Sequence, residues 1–325
     1  MAKPKIAIVS THPQEQIDVL LSLAPPDMDV TSVDGRLSEE DKIAICKDVD
    51  AVILLPADLP VKVARACPRL KLIQTLSAGY DRLDLKAMGE LGIPVANNGG
   101  ANAIPVAEHA IGLMLMVSKK LPQLWYTTSK ERKWRGSFSA IGLHDITGKS
   151  VGIVGLGRIG KQVARLLKGF DCKVVYHDIL SFPQKLEKEL AVTRVPFEEL
   201  LRTSDIVTLH VPLTPLTRHM IGNSELGMMK PSAIIINTCR GPVVDEKALY
   251  DSLKAGRIAA AGLDVLEQEP TPVNNPLLDM DNVVVTPHMA GSTEETIYRS
   301  AAFAFENIRR VLAGGTPESI ITPYY

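Results

Sequence analysis

Short apolar runs, each followed by a stretch with helical spacing, recur along nearly the whole chain. Lys5-Ile6-Ala7-Ile8-Val9, Ala51-Val52-Ile53-Leu54-Leu55 and Leu70-Lys71-Leu72-Ile73-Gln74 have the form of strands buried on both faces. Ser38 to Cys46 and Leu83 to Leu91 have helical spacing and supply crossovers. The first ~100 residues therefore predict a small parallel α/β unit.

Pro94 to Ala101 is rich in Gly and Asn, and a long helix is predicted after it, from Ala103 to Leu121. Asn102 is the expected cap, Pro105 falls in the first turn where no donor is missed, and Val106, Ala110, Leu113 and Val117 form an apolar stripe. A domain boundary is placed here. From Ser150 a second series begins, with strands at Val151–Val154, Lys173–Tyr176, Ile206–Leu209, Ala233–Ile236, Ala259–Leu263 and Val283–Val285. Six strands with helical crossovers describe a doubly wound sheet. At the end, Ser292 and Glu295 form a capping box before a helix with Ile297, Ala301, Ala304, Phe305, Ile308 and Leu312 on one face. That helix could return to the first domain. The expectation is an α/β protein with a Rossmann domain at 102–290 and a smaller, discontinuous flavodoxin-like domain from 1–101 and 291–325.

A length of 325 residues agrees with two domains. Lys and Arg number 36 against 37 Asp and Glu, a net charge of −1, so the basic excess that a nucleic-acid or anionic-membrane binder needs is missing. With 46% hydrophobic and 22% charged residues the mixture suits a core-forming protein rather than a disordered one. The apolar run Ile6–Val9 is too short for a signal peptide, and Ile111–Val117 falls far below the ~20 residues of a membrane span. Cys46, Cys67, Cys172 and Cys239 are scattered and form no CxxC pair. A metal site or disulfide framework is not expected, and a reducing cytoplasm is.

Chemistry enters at Val151-Gly152-Ile153-Val154-Gly155-Leu156-Gly157-Arg158-Ile159-Gly160, where a buried strand runs into GxGxxG and a helix. Gly155 permits the tight turn, Gly157 lets backbone approach a pyrophosphate, and Gly160 lets the helix pack on the sheet. The next strand ends at Asp178, 18 residues after Gly160, placed to accept hydrogen bonds from an adenosine ribose and to repel a 2′-phosphate. Strand, helix and acid together point to NAD rather than NADP.

Three segments lie just past strand carboxyl ends, where a doubly wound fold carries function. One holds Arg240, one runs from Asp264 to Glu269, and one ends at His288. Hydride addition to a carbonyl builds negative charge on oxygen, so a proton donor is needed, and an imidazole suits that role near neutral pH. A carboxylate such as Glu269 would favour the imidazolium, and Arg240 offers planar donors to a 2-oxo acid. Taken singly, an Arg after a strand makes a surface ion pair, a loop Glu is solvated and a His after Pro is structural. Jointly, on a nucleotide-binding sheet, the three read as catalytic.

The sequence resembles the NAD-dependent D-isomer-specific 2-hydroxyacid dehydrogenase family over essentially its whole length. The matching blocks are Ser77-Ala78-Gly79-Tyr80-Asp81, Val106-Ala107-Glu108-His109, Gly155 to Gly160, His210-Val211-Pro212-Leu213-Thr214, Arg240-Gly241, Gly262-Leu263-Asp264-Val265, Glu269-Pro270 and Thr286-Pro287-His288. The resemblance implies that Arg240 binds and polarises substrate, His288 is the acid/base and Glu269 its partner, with backbone N–H groups of Ser77, Ala78 and Gly79 on the substrate carboxylate. It implies NAD contacts from Gly155, Gly157, Arg158, Ile159, Gly160, Asp178, Thr217 and Thr238, with Val211 and Pro212 at the adenine and Asp264 at the nicotinamide carboxamide. It also implies a substrate-binding and an NAD-binding domain closing over the substrate, and a homodimer in which the helix from Ala103 and the arm around Trp125 to Trp134 reach the other subunit.

Departures narrow the substrate. Formate dehydrogenases of the family carry Gln where Glu269 stands, and a neutral amide would not support a protonated His. Phosphoglycerate members often have Arg near Thr75 and an added regulatory domain, whereas Thr75 is neutral and the chain stops at Tyr325. A small unphosphorylated acid such as glyoxylate or hydroxypyruvate is expected, with D-3-phosphoglycerate dehydrogenase as the alternative. A reading from another class is an NADH-sensing, co-repressor-like interaction protein; the intact Arg240, Glu269 and His288 weigh against it. Phosphite oxidation ranks last, because its members are reported with a Lys in the loop at Ser77 to Gly79.

Overall fold

The computed structural model describes residues 2–135 and 142–322. The chain divides into two compact units, Met1–Asn102 with Gly291–Tyr325, and Ala103–Ala290.

In the first unit β1 (Lys5–Ser10), β2 (Asp29–Asp34), β3 (Ala51–Leu55), β4 (Leu72–Thr75) and β5 (Val95–Ala96) form a parallel sheet in the order β2-β1-β3-β4-β5. This is the flavodoxin-like order. Residues Ile6 to Val9 and Val52 to Leu54 are buried on both faces, as their unbroken apolar runs require. The terminal helix Glu294–Leu312 closes one face by laying Ala301, Ala304, Phe305 and Ile308 on Ile6, Ile8, Ile53 and Leu72. Buried Asn307 pins it, donating to Gln74 Oε1 at 2.8 Å and to the Glu318 carbonyl at 3.0 Å. The cap of this helix is Thr293, whose hydroxyl accepts the Thr296 N–H, and not Ser292. Ser-Thr-Glu-Glu offers two overlapping cap registers, and the helix starts in the later one.

The second unit holds β6 (Ser150–Val154), β7 (Lys173–His177), β8 (Val192–Arg194), β9 (Ile206–Leu209), β10 (Ile234–Asn237), β11 (Ala260–Leu263) and β12 (Val283–Val285). All seven are parallel, in the order β12-β11-β10-β9-β6-β7-β8. The six expected strands are present, and β8 is an additional short edge strand. Strand order reverses between β6 and β9, which places a crevice beyond their carboxyl ends. One face is covered by Leu200, Leu226, Leu249 and Leu253, the other by Ala110, Leu113, Met114, Val163 and Leu167.

The helix predicted over Ala103 to Leu121 runs Ala103–Lys119, stopped by Lys120 at φ 49°, and a second helix, Leu121–Ser129, follows. Asn102 does not cap it: its Oδ1 is buried without a hydrogen-bond partner. No helix among the described residues is long and apolar enough to cross a membrane.

Candidate active site

β6 ends at Val154, and the helix Arg158–Leu167 begins from Gly157. Gly155 sits at φ +92°, and a Cβ there would lie 2.6 Å from the His210 carbonyl oxygen. A Cβ on Gly160 would lie 2.1 Å from the Gly155 oxygen and 3.2 Å from Ile153 Cγ2. Gly160 is thus demanded by the turn's own carbonyl before it is demanded by the sheet, a closer constraint than helix packing alone. The Cβ position of Gly157 faces open space, and no side chain caps the helix. The Ile159 and Gly160 N–H groups in its first turn are therefore available to an anion. Arg158 and Ile159 form the first turn, with Ile159 packed on the core. Asp178, one residue past β7, accepts the Leu156 N–H on Oδ2 at 2.7 Å and the Leu180 N–H on Oδ1 at 2.8 Å. Its carboxylate ties the strand end to the glycine loop.

Beyond β9, burial pushes His210 down to about 3, so the ring is neutral, with Nε2 2.9 Å from Thr208 Oγ1. Val211 and Pro212 follow. Thr217 is occupied inside the loop, donating to the Pro212 carbonyl at 2.6 Å and accepting the Thr214 N–H at 2.8 Å. Past β10, the hydroxyl of Thr238 is buried without a partner.

Buried Asn237 folds the next turn by accepting the Cys239 N–H and donating to the Arg240 carbonyl, both at 3.0 Å. Arg240 Nη1 donates to the Cys239 carbonyl at 2.7 Å. Gly241 seats this turn on the loop that leads to Glu269: a Cβ there would meet the Leu266 oxygen at 1.9 Å. Glu269 accepts the Leu266 N–H on Oε1 at 3.1 Å and meets His288 Nδ1 through Oε2 at 2.6 Å. Partial burial pushes the Glu269 carboxyl up, but the His288 bond and charge, the Leu266 N–H and the Arg240 guanidinium together hold it below the ordinary carboxylate range. Of the three catalytic candidates of the sequence, His288 and Glu269 are therefore hydrogen-bonded to each other, and the charge of Arg240 acts on the same carboxylate.

His288 has φ +56°, a left-handed backbone that costs on the order of 1–2 kcal/mol for a residue with a Cβ. Asp264 holds it there. The Asp264 carbonyl accepts the His288 N–H at 2.8 Å. Its carboxylate, 1% exposed, accepts the Met289 N–H at 3.0 Å, the Ala290 N–H at 2.8 Å and the Thr286 hydroxyl at 2.6 Å. Thr286 Oγ1 lies 2.8 Å from Nε2 of His109, on the helix Ala103–Lys119. The sequence assigned no role to His109; a polar residue on the stripe of Val106, Ala110 and Leu113 was the signal available.

In the first unit, the loop after β4 turns its carbonyls toward protein donors. Ser77 O accepts from Thr75 Oγ1 at 2.8 Å and from the Asn98 N–H at 3.2 Å, Ala78 O from Asn97 at 3.3 Å, and Gly79 O from Ser77 Oγ at 3.1 Å. The N–H groups of Ser77, Ala78 and Gly79 have no such acceptor among the described residues. Three consecutive amides of this kind suit a carboxylate.

The profile of the D-isomer specific 2-hydroxyacid dehydrogenase NAD-binding domain matches residues 111–290. The chain belongs to this family. A glyoxylate reductase of Korarchaeum cryptofilum is 38% identical over 322 residues, covering 98% of this chain and 96% of its own. A D-3-phosphoglycerate dehydrogenase of Methanocaldococcus jannaschii is 39% identical over 287 residues, 88% of this chain but 54% of its own length. Among solved structures, a glyoxylate reductase from Paecilomyes thermophila is similar with a TM-score of 0.84, 29% identity and 99% coverage of both chains.

This family member is an NAD-linked oxidoreductase of D-2-hydroxy acids. The residues present fit the dinucleotide. The glycine turn admits no Cβ at two positions, its helix N-terminus is uncapped, and a carboxylate stands at the next strand end. The orphaned hydroxyl of Thr238 is a buried polar group that a ligand would satisfy.

Proposed function

We propose that the enzyme interconverts a small, unphosphorylated 2-oxo acid, of the glyoxylate or hydroxypyruvate kind, and its D-2-hydroxy acid. The observation that carries this reading is the 2.6 Å bond between His288 Nδ1 and Glu269 Oε2, with the Arg240 charge acting on the same carboxylate. Bound NADH supplies the hydride for reduction. His288, oriented through Nδ1, holds the proton at Nε2 for the oxygen that gains charge. Arg240 directs planar donors at the carbonyl and carboxylate, and the amides of Ser77, Ala78 and Gly79 bind the carboxylate. Gly155, Gly157, Arg158, Ile159 and Gly160 receive the pyrophosphate, and Asp178 the ribose hydroxyls. Val211, Pro212 and Thr217 form the adenine side; Thr238 and Asp264 form the nicotinamide side.

Thr75 supports an unphosphorylated substrate. It is 4% exposed and its hydroxyl is engaged by the Ser77 carbonyl, so it offers a phosphate neither charge nor a donor. The test is a panel of glyoxylate, hydroxypyruvate, pyruvate and phosphohydroxypyruvate with NADH and with NADPH. The highest kcat/KM is expected for glyoxylate or hydroxypyruvate. NADH should be preferred by roughly tenfold or more, the factor given by about 1.4 kcal/mol of repulsion between Asp178 and a 2′-phosphate. Silence across the panel would overturn the reading, and a marked preference for phosphohydroxypyruvate would move it to D-3-phosphoglycerate dehydrogenase.

We also propose a homodimer. Trp125 and Trp134 are 60% and 76% exposed, and Leu121 and Tyr126 lie open beside Trp125 in the same arm. Large aromatics so arranged mark an interaction surface. Sedimentation should give twice the 35.3 kDa chain mass, falling toward one chain in Trp125→Glu; a monomeric wild type refutes it.

A further inference from the structure

We propose that His109 is a positioning residue for the proton-transfer step, acting on His288 through Thr286 and Asp264. The inference rests on the reading of His288 as the group that holds the proton.

The chain of bonds has one consistent direction. The Asp264 carboxylate accepts two backbone N–H groups, from Met289 and Ala290, which suits the ionised form, and an ionised carboxylate has no proton to give. The Thr286 hydroxyl therefore donates to Asp264 Oδ1 at 2.6 Å. Its single proton is then spent, so the 2.8 Å contact with His109 must be donated by Nε2–H of the imidazole. His109 thereby fixes the Thr286 rotor, Thr286 fixes one carboxylate oxygen, and that carboxylate holds the two amides that follow His288. The Asp264 carbonyl holds the N–H of His288 itself. Because His288 occupies a left-handed backbone, the segment needs such restraints to stay where Nδ1 meets Glu269.

A partly buried histidine on a helix stripe needs only one polar partner for its inward nitrogen. Here the partner is the residue that ends the approach to His288, two positions before it. His109 and Asp264 are also 3.5 Å apart, so removing the imidazole leaves the carboxylate with a looser hydroxyl and a void beside it. Proton transfer depends on placement of a fraction of an ångström, and a small displacement of the ring falls on turnover more than on substrate binding.

The experiment compares His109→Phe with His109→Gln and Thr286→Val with Thr286→Ser in the full chain, using NADH and the best 2-oxo acid of the panel. Phe and Val remove the bond; Gln retains an N–H donor and Ser the hydroxyl. His109→Phe and Thr286→Val are expected to lower kcat roughly 10- to 100-fold, with KM for the acid changed less than about threefold. Gln and Ser should recover most of the loss. The double variant, His109→Phe with Thr286→Val, should be no worse than its more damaged parent, because both cut one chain. Undiminished kcat in His109→Phe, a Gln variant as poor as Phe, or a loss confined to KM would each overturn the proposal. Should His109→Phe fail to fold by thermal melting, the Thr286 pair decides by the same criteria. His288→Asn run alongside separates the levels. If it turns over like wild type, the reading of His288 falls; if it is impaired while His109→Phe is not, only this inference falls.

Discussion

Replacing His288 with Asn is expected to lower kcat by about 10²- to 10⁴-fold, the range for loss of a positioned proton donor, while the NADH dissociation constant by fluorescence quenching stays nearly unchanged. The glycine turn and Asp178 lie at the ends of β6 and β7, with β11, β10 and β9 standing between them and β12, which leads to His288, so cofactor affinity and turnover should separate. Glu269→Gln should cause a smaller loss with a distinct pH signature. Glu269 is held below the ordinary carboxylate range, so it is anionic across the neutral region and accepts the bond that orients His288 until pH falls through its depressed value. A neutral amide does not titrate. The acidic limb of kcat/KM that reports protonation of Glu269 should accordingly be missing from the Gln variant. The same depressed carboxyl contributes stability that is present above its unfolded pKa and fades as pH falls through the folded one, a contribution absent from the Gln variant. Collapse of NADH binding in His288→Asn, or an acidic limb in Glu269→Gln unchanged from wild type, would contradict the assignment.

The sheet strands with unbroken apolar runs were legible because burial on both faces leaves no polar position to disguise them. β2 was not: Asp-Val-Thr-Ser-Val-Asp is an edge strand whose outer positions meet water, and its composition is that of a loop. β8, only three residues long and also at an edge, is set by pairing with β7 rather than by its own pattern. The site divides in the same way. Arg240, Glu269 and His288 could be found because each follows a strand, and the fold collects strand ends. The link from His109 to Asp264 could not, since it depends on which side of a helix packs against the end of β12. Nor could the left-handed backbone of His288, which Asp264 imposes from 24 positions earlier in the chain.

Arg240→Lys is expected to lower kcat/KM for the 2-oxo acid by about 10²- to 10³-fold, a loss of the size seen when one preorganised donor to a developing oxyanion is removed. Charge is conserved in this variant, so the effect isolates geometry. The guanidinium already donates Nη1 to the Cys239 carbonyl at 2.7 Å, which fixes its plane. An ammonium on a flexible stem cannot hold that carbonyl and still present two parallel donors to a carbonyl and carboxylate. Substrate KM should rise together with the fall in kcat, whereas His288→Asn acts mainly on kcat. Arg240→Ala adds an electrostatic test. With the cation gone, one of the influences that depress Glu269 is lost, so its carboxyl rises and the acidic limb of the pH profile should shift upward. Arg240→Lys retains the cation and should leave that limb in place. If Lys supports wild-type kcat/KM, Arg240 acts as a point charge and the bidentate role is wrong; if Ala leaves the acidic limb unmoved, Arg240 does not act on Glu269 during turnover.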